Sequence, residues 1–296
     1  MMITVMGATG RTGRRIVEQL CKRGERVRAL GRSAEKLAAL KALGADVMAG
    51  DAIDSDYLAR AFRGADAIYT LLPYEVHRPD YYATQDRQGE AIAAAIRASG
   101  VRRVVFLSAL GAELSSGSGM ILSMHAQEER LKRIDGLETF CLRPGSFFEN
   151  FHGAMALIKH EGINCDAVRS DLPVPMIGTQ DIADAAVSAL MDRDWHGHVI
   201  RELLGPRDIS YAEATRLIGE RIGQPGLAYV QVSYDEMTQA LEDSGFSHDV
   251  ARLYAEIAKG INEGRIGSLA GRSHEATTPT RFEDFTAELA RSLAAM

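Results

Sequence analysis

Ile3-Thr4-Val5-Met6-Gly7-Ala8-Thr9-Gly10-Arg11-Thr12-Gly13 is the stretch that decides the fold. A short apolar run passes directly into a glycine turn and then into an amphipathic segment, so strand, turn and helix follow without a linker. The spacing is G-x-x-G-x-x-G, close to the dinucleotide fingerprint. Gly7 makes the sharp turn, Gly10 lets a pyrophosphate approach the backbone, and Gly13 permits close packing of helix on strand. The helix start beyond it offers unpaired N–H groups and a positive dipole end to phosphates. Thr9, Arg11 and Thr12 therefore join the three glycines as expected cofactor contacts.

Outward from this turn, apolar runs alternate with longer amphipathic stretches. Ile3–Met6, Val27–Leu30, Asp46–Ala49, Ala67–Leu72, Val104–Leu107 and Thr139–Leu142 read as strands. Thr12–Arg23, Ala34–Leu43, Ser55–Phe62, Arg87–Ser99 and Ala126–Ile134 read as the helices between them. Such alternation predicts an α/β fold, a doubly wound parallel sheet of Rossmann type, over residues 1–150. Past Asn150 the rhythm loosens, and residues 151–296 are expected to form a smaller, mainly helical substrate lobe. Within it, Thr179–Met191 and His198–Leu203 bring the segment from about 179 to 203 back to the main sheet. Ser210 with Glu213, and Thr280 with Glu283, are spaced as capping boxes.

The second strand decides which dinucleotide is bound. It ends Arg28-Ala29-Leu30-Gly31-Arg32-Ser33, with no acid to accept from a ribose 2′-OH. Arg32 offers a planar fork to a 2′-phosphate, and Ser33 and Lys36 stand beside it. NADP(H) is favoured over NAD(H).

Composition removes several classes of function. The chain has 296 residues, is 46% hydrophobic and 25% charged, and carries a formal charge of −6, which gives no basic footprint for nucleic acid. No apolar run approaches the roughly 20 residues that span a bilayer. Met1-Met2-Ile3-Thr4-Val5 lacks the charged start of a signal peptide. Cys21, Cys141 and Cys165 are scattered, without disulfide or thiolate-metal spacing, so a cytoplasmic setting is expected. His196 and His198 have no further ligand at metal spacing, and Gly117-Ser118-Gly119 is too degenerate for a hydrolase elbow. No metal is expected.

With these residues in view, the chain resembles the NmrA-like, atypical branch of the short-chain dehydrogenase/reductase superfamily. Beyond Gly7–Gly13, the matching pieces are Arg32–Lys36, Ala49-Gly50-Asp51, Ala94–Val105, Leu142–Asn150, Asp181–Ala186 and Thr278–Phe285, which together span nearly the whole chain. The resemblance implies that Asp51 lies against the adenine and that Leu71, Leu72 and Pro73 border the adenosine ribose. It further implies that Ser108, and Pro144 through Phe147 and Phe148, line the nicotinamide half. Typical superfamily members carry Tyr-x-x-x-Lys as their proton-transfer pair. Here Ile121 falls at the tyrosine position and His125 at the lysine position, as in members called quinone reductases or redox sensors.

His125 is the remaining candidate for a catalytic proton donor, since an imidazole can hold and release a proton near neutral pH. Tyr74, Tyr81 and Tyr82 join Phe147, Phe148 and Phe151 as an expected aromatic wall for a planar substrate, although the phenylalanines serve equally as a plug between sheet and second lobe. Ser115–Gly119 reads as a polar lid or a plain surface loop. The expected function is NADPH-dependent reduction of a quinone-like or other small conjugated electrophile. The alternative is a non-catalytic NADP(H)-binding redox sensor acting through a protein partner. A nucleotide-sugar epimerase is disfavoured by the missing tyrosine, and a homodimer is compatible with either remaining reading.

Overall fold

The computed structural model describes all 296 residues. Its first half alternates β1 (Met2–Val5), α1 (Arg11–Lys22), β2 (Arg26–Gly31), α2 (Ala34–Ala42), β3 (Asp46–Ala49), α3 (Ser55–Phe62), β4 (Ala67–Thr70), α4 (Tyr81–Ser99), β5 (Arg103–Leu107), α5 (Leu122–Lys132) and β6 (Glu138–Pro144). Beyond lie β7 (Ser146–Phe147), α6 (Met155–Glu161), β8 (Ile163–Asp166), β9 (Val174–Ile177), α7 (Thr179–Met191) and β10 (His198–Leu203). The chain closes with β11 (Asp208–Ile209), α8 (Tyr211–Arg221), β12 (Ala228–Gln231), α9 (Tyr234–Asp243), α10 (His248–Asn262) and α11 (Phe282–Ala295).

Seven strands form one sheet in the order β10-β6-β5-β4-β1-β2-β3, and every pairing in it is parallel. The order reverses between β1 and β4, which makes this the Rossmann arrangement and opens its crevice beyond the carboxyl ends of those strands. Because side chains alternate along a strand, the sheet feeds two cores. Val105, Ala67 and Tyr69 pack on one face with Ile16 and Leu20 of α1 and Ile182 and Val187 of α7. Val104, Phe106 and Ile68 pack on the other with Phe62, Ile92, Ile96 and Leu131 of α3, α4 and α5. A third core lies outside the sheet, built from Phe148, Phe151, Ile158, Met176, Ile218, Phe282, Phe285 and Leu289.

Several local expectations give way to tertiary contacts. α4 starts at Tyr81 rather than Arg87, because Tyr81 is buried against Val250 and Leu253 of α10 and its N–H donates to Asp249 at 2.9 Å. The weakly periodic residues 151–178 contain a short helix and two strands. The capping box at Thr280 and Glu283 is absent. Thr280 Oγ1 instead donates to Asp181 Oδ1 at 2.5 Å, while Glu283 pairs with Arg207 at 2.9 Å. At α8 only half a box forms: Ser210 accepts from the Glu213 N–H at 3.1 Å, and the Glu213 carboxylate goes to Arg207.

The joint between β1 and α1 tolerates no side chain at Gly13. A Cβ there would run into the Gly7 carbonyl oxygen, with the Gly7 carbonyl carbon at 2.8 Å and the Ala8 Cα at 3.1 Å. All of these are backbone atoms, which cannot swing aside. Gly13→Ala is expected to cost about 3 kcal/mol and to lower Tm by on the order of 5 °C or more. An unchanged thermal unfolding midpoint would show that the joint is loose.

Candidate cofactor and substrate cleft

Gly7 has φ +63°, the left-handed region that favours glycine. Its missing side chain leaves room for Leu71, whose Cδ2 lies 2.8 Å from where a Cβ would stand. α1 begins at Arg11 with Gly10 as its N-cap and no side chain bonded there, so the first-turn N–H groups face the crevice unsatisfied by the chain. A bare glycine cradle under a helix N-terminus fits a pyrophosphate. Arg11 does not turn into the cradle; its Nη1 donates to the Glu149 carbonyl at 3.1 Å. Thr12 is buried and Thr9 packs beside Gly31.

At the end of β2, Arg32 and Lys36 are exposed, and the Ser33 hydroxyl caps α2 by accepting from the Lys36 N–H at 3.3 Å. This group of cations with a free hydroxyl hydrogen suits a phosphate monoester. Arg32 also meets Glu75, from the segment after β4, at 3.2 Å. Asp51 is exposed and accepts from the Ile53 N–H at 3.2 Å, which shapes the turn after β3. Of the apolar residues after β4, Leu71 faces the glycine turn, whereas Leu72 is buried in the core under α3 and α4. The Pro73 carbonyl accepts from Gln85 at 2.9 Å.

At the ends of β5 and β6 the sequence signal was incomplete. Ser108 is buried and donates to Glu128 at 2.5 Å. The same carboxylate receives Arg143 through Nε at 3.0 Å and Nη2 at 2.6 Å, and Arg143 Nη1 reaches Glu113 at 2.8 Å. This buried network fixes the floor of the crevice on which Pro144 and the half-buried Phe147 follow. Arg143 and Glu128 lie inside stretches quoted above, but nothing in their spacing pairs residues from different elements.

The aromatic wall is revised. Phe148 and Phe151 are 1% and 6% exposed and pack on Phe282 in the third core, with ring centroids 5.1 Å away in each case. Their side chains are the plug between sheet and second lobe and have no surface left for a substrate. Tyr74 stays 44% exposed and stands edge-on to Tyr254 of α10 at 6.2 Å, with Phe246 beyond at 5.8 Å from Tyr254. Tyr254 and Phe246 were missed because no local pattern links them to residues so distant in the chain. Desolvation, with Tyr254 beside it, raises the pKa of Tyr74. Ser115–Gly119 is not a free lid: Ser118 is fully buried, Arg265 donates to the Gly117 carbonyl at 2.5 Å, and a Cβ on Gly119 would run into the Leu253 carbonyl of α10.

His125 sits in the first turn of α5, preceded by a 3-10 turn at Gly119–Ile121. Its Nδ1 is 2.9 Å from the Ala112 carbonyl oxygen, so Nδ1 carries a proton there and Nε2 is the exchangeable position. The ring also borders an open groove between α4 and α5 that contains Arg97, Glu129 and Arg133. His196 and His198 bond Glu138 and Thr139 respectively, and no group of three His, Cys, Asp or Glu residues is arranged to hold a metal. No helix is long and apolar enough to cross a membrane.

Fold and cleft together define a Rossmann-type protein whose glycine turn and bare helix N-terminus are shaped to take a dinucleotide. The chain belongs to the NmrA-like family, whose model matches residues 1–285. A (4-alkanoyl-5-oxo-2,5-dihydrofuran-3-yl)methyl phosphate reductase of Streptomyces griseus is 30% identical over 295 residues, covering 99% of each chain. The solved NADPH complex of the Escherichia coli quinone oxidoreductase QOR2 superposes with a TM-score of 0.82 at 22% identity, covering 97% of this chain and 99% of that one. The triphenylmethane reductase of Citrobacter sp. in complex with NADP(H) gives 0.81 at 21% identity, over 97% and 99%.

Two outcomes follow from the charges in this region. Arg32→Glu places a carboxylate where the 2′-phosphate would lie, so calorimetric titration should show NADPH weakened by about tenfold or more, with NADH changed far less. Equal loss for both cofactors would contradict the phosphate role. In the second lobe, burial pushes the Asp166 carboxyl up from 3.8 to about 6, and its remaining bonds are to the Val168 and Ala167 N–H groups. An unfolded chain ionises this acid near its ordinary value while the folded chain resists until about pH 6, so the carboxylate costs stability above that pH. Asp166→Asn should therefore raise stability by about 1–3 kcal/mol at pH 8 and leave it unchanged at about pH 3. A gain of the same size at both pH values would rule out this origin.

Proposed function

We propose that the chain is an NADPH-dependent reductase of a small conjugated carbonyl acceptor, a quinone or an acyl-substituted unsaturated lactone. The observation that carries this reading is an apolar Ile121 at the position where the family resemblance aligns the acidic tyrosine of typical superfamily members, in a chain whose dinucleotide cradle is intact. An isolated carbonyl taking a hydride develops a localised alkoxide that calls for an adjacent donor. A conjugated acceptor spreads the same charge over an enolate or an aromatic ring. The compound for which the Streptomyces relative is named contains such an unsaturated carbonyl system, and a quinone is another.

When bound, NADPH supplies the hydride, and the share of the chain is largely positioning in a dry cleft. Gly7, Gly10 and Gly13, with Thr9 in the turn and the backbone N–H groups of Arg11 and Thr12 at the start of α1, hold the pyrophosphate. Arg32, Ser33 and Lys36 take the 2′-phosphate, Asp51 stands at the adenine, and Leu71 with Pro73 borders the ribose. Ser108, Pro144 and Phe147 edge the nicotinamide half, with Ser108 held in place by Glu128. Tyr74 and Tyr254 form the aromatic side of the substrate cleft. His125, with Nδ1 held by Ala112, exchanges a proton with water through Nε2 and returns it to the reduced product.

Turnover of a panel of quinones, enones, unsaturated lactones and simple aldehydes, followed by NADPH oxidation, tests the reading. Conjugated acceptors should react and aldehydes should not. Tight NADPH binding with no turnover on any acceptor would move the weight to a sensor acting through a protein partner. His125→Ala should lower kcat by about 10–100-fold while the Kd for NADPH stays within about twofold. An unchanged kcat would remove His125 from the chemistry.

A further inference from the structure

The segment between β4 and α4 carries an acid into the region that the 2′-phosphate would enter. Glu75 Oε1 accepts from Arg32 Nη1 at 3.2 Å, and Glu75 Oε2 accepts from Arg78 Nε at 2.7 Å. One carboxylate is thus shared between two guanidinium groups, each with further N–H donors to offer. The Glu75 side chain is only 20% exposed, against 67% for Arg32 and 57% for Arg78. These three side chains, with Tyr74, border a cleft of about 290 Å³. Two exposed guanidinium groups on one inset anion make a fork that matches a phosphate monoester better than a carboxylate, because the phosphate has more oxygens and more charge.

The backbone around Glu75 is fixed. The Val76 carbonyl accepts from the Ser247 N–H at 2.9 Å, the Arg78 carbonyl from the Ser247 hydroxyl at 2.6 Å, and His77 Nδ1 meets the Gly245 carbonyl at 2.7 Å. An incoming anion therefore exchanges with the Glu75 side chain alone, without opening the segment.

We propose that Glu75 is a specificity-determining residue, an in-chain competitor of the cofactor 2′-phosphate for Arg32 and Arg78, and that Arg78 is the second arginine of the phosphate subsite. The proposal rests on the placement of the 2′-phosphate at Arg32. Its consequence is selective. An NADH ribose carries no charge to compete with Glu75, so removing the carboxylate leaves NADH binding nearly unchanged, whereas NADPH gains both guanidinium groups and loses a like-charge neighbour.

The test is calorimetric titration of the full chain with NADPH, NADP⁺ and NADH, for the parent protein and for Glu75→Gln, Glu75→Ala, Arg78→Gln and Arg32→Ala. Both Glu75 variants should lower the Kd for NADPH and NADP⁺ by about fivefold, with NADH within about twofold. Arg78→Gln should raise the Kd for the phosphorylated pair by about the same factor and spare NADH. Thermal midpoints matching the parent certify that each variant is folded. If Glu75→Gln leaves NADPH unchanged or weakens it, or if NADH tightens equally, the competition is overturned. Arg32→Ala separates the two levels: selective loss of NADPH with no effect at Glu75 overturns this proposal alone, whereas equal loss of both cofactors overturns the underlying phosphate placement as well.

Discussion

The approach of α1 to β1 at Gly7 and Gly13 is the constraint on which the rest of the molecule depends. Backbone meets backbone there, so the start of α1 can stand in only one place over the reversal of strand order between β1 and β4. From that place its first turn sends Arg11 to the Glu149 carbonyl. The Glu149 carboxylate in turn accepts from the N–H and the hydroxyl of Thr179, at the start of α7, and places negative charge at that helix N-terminus. Two residues on, Asp181 receives the backbone N–H and hydroxyl of Thr280 just before α11. A contiguous path of polar contacts thus runs from the glycine turn to the last helix.

Buried charge does the corresponding work on the floor of the crevice. Arg143, with 6% of its side chain exposed, lies between Glu113 and Glu128, and Glu128 also takes the Ser108 hydroxyl. Such groups add little net stability over an apolar core, because desolvation offsets their attraction, but the loss of one partner strands the others at a cost of several kcal/mol. Their effect is geometric: they set where β5 and β6 end relative to α5, and therefore the shape of the cleft. The apolar contacts of the second lobe do the opposite. Phe148, Phe151, Phe282 and Phe285 are non-directional fillers whose burial joins the C-terminal helix to the segment after β6.

Relatives named for the reduction of quinones, of triphenylmethane dyes and of an unsaturated lactone include two whose solved structures have this fold. The parts of the present chain free to differ are those outside the constrained path. Tyr74, Tyr254, Phe246 and the Glu75 segment sit on the rim, held from the second lobe by Ser247 and Gly245. In such a fold, function resides in sites grafted on a stable scaffold.

The sequence by itself determined the α/β class, the glycine turn and its helix, and the absence of an acid after β2. Each of these is a local property, carried by periodicity, glycine placement or a residue adjacent to a known turn. Only the tertiary structure decided that Phe148 and Phe151 are core rather than cleft, that α4 begins at Tyr81, that Thr280 serves Asp181 instead of its own helix, and that Ser115–Gly119 is clamped under α10. Those outcomes depend on partners between about 100 and 170 positions away. A hydroxyl, a ring or a glycine carries no mark of which distant surface it will meet, because burial and hydrogen bonding are settled by the neighbours that folding supplies.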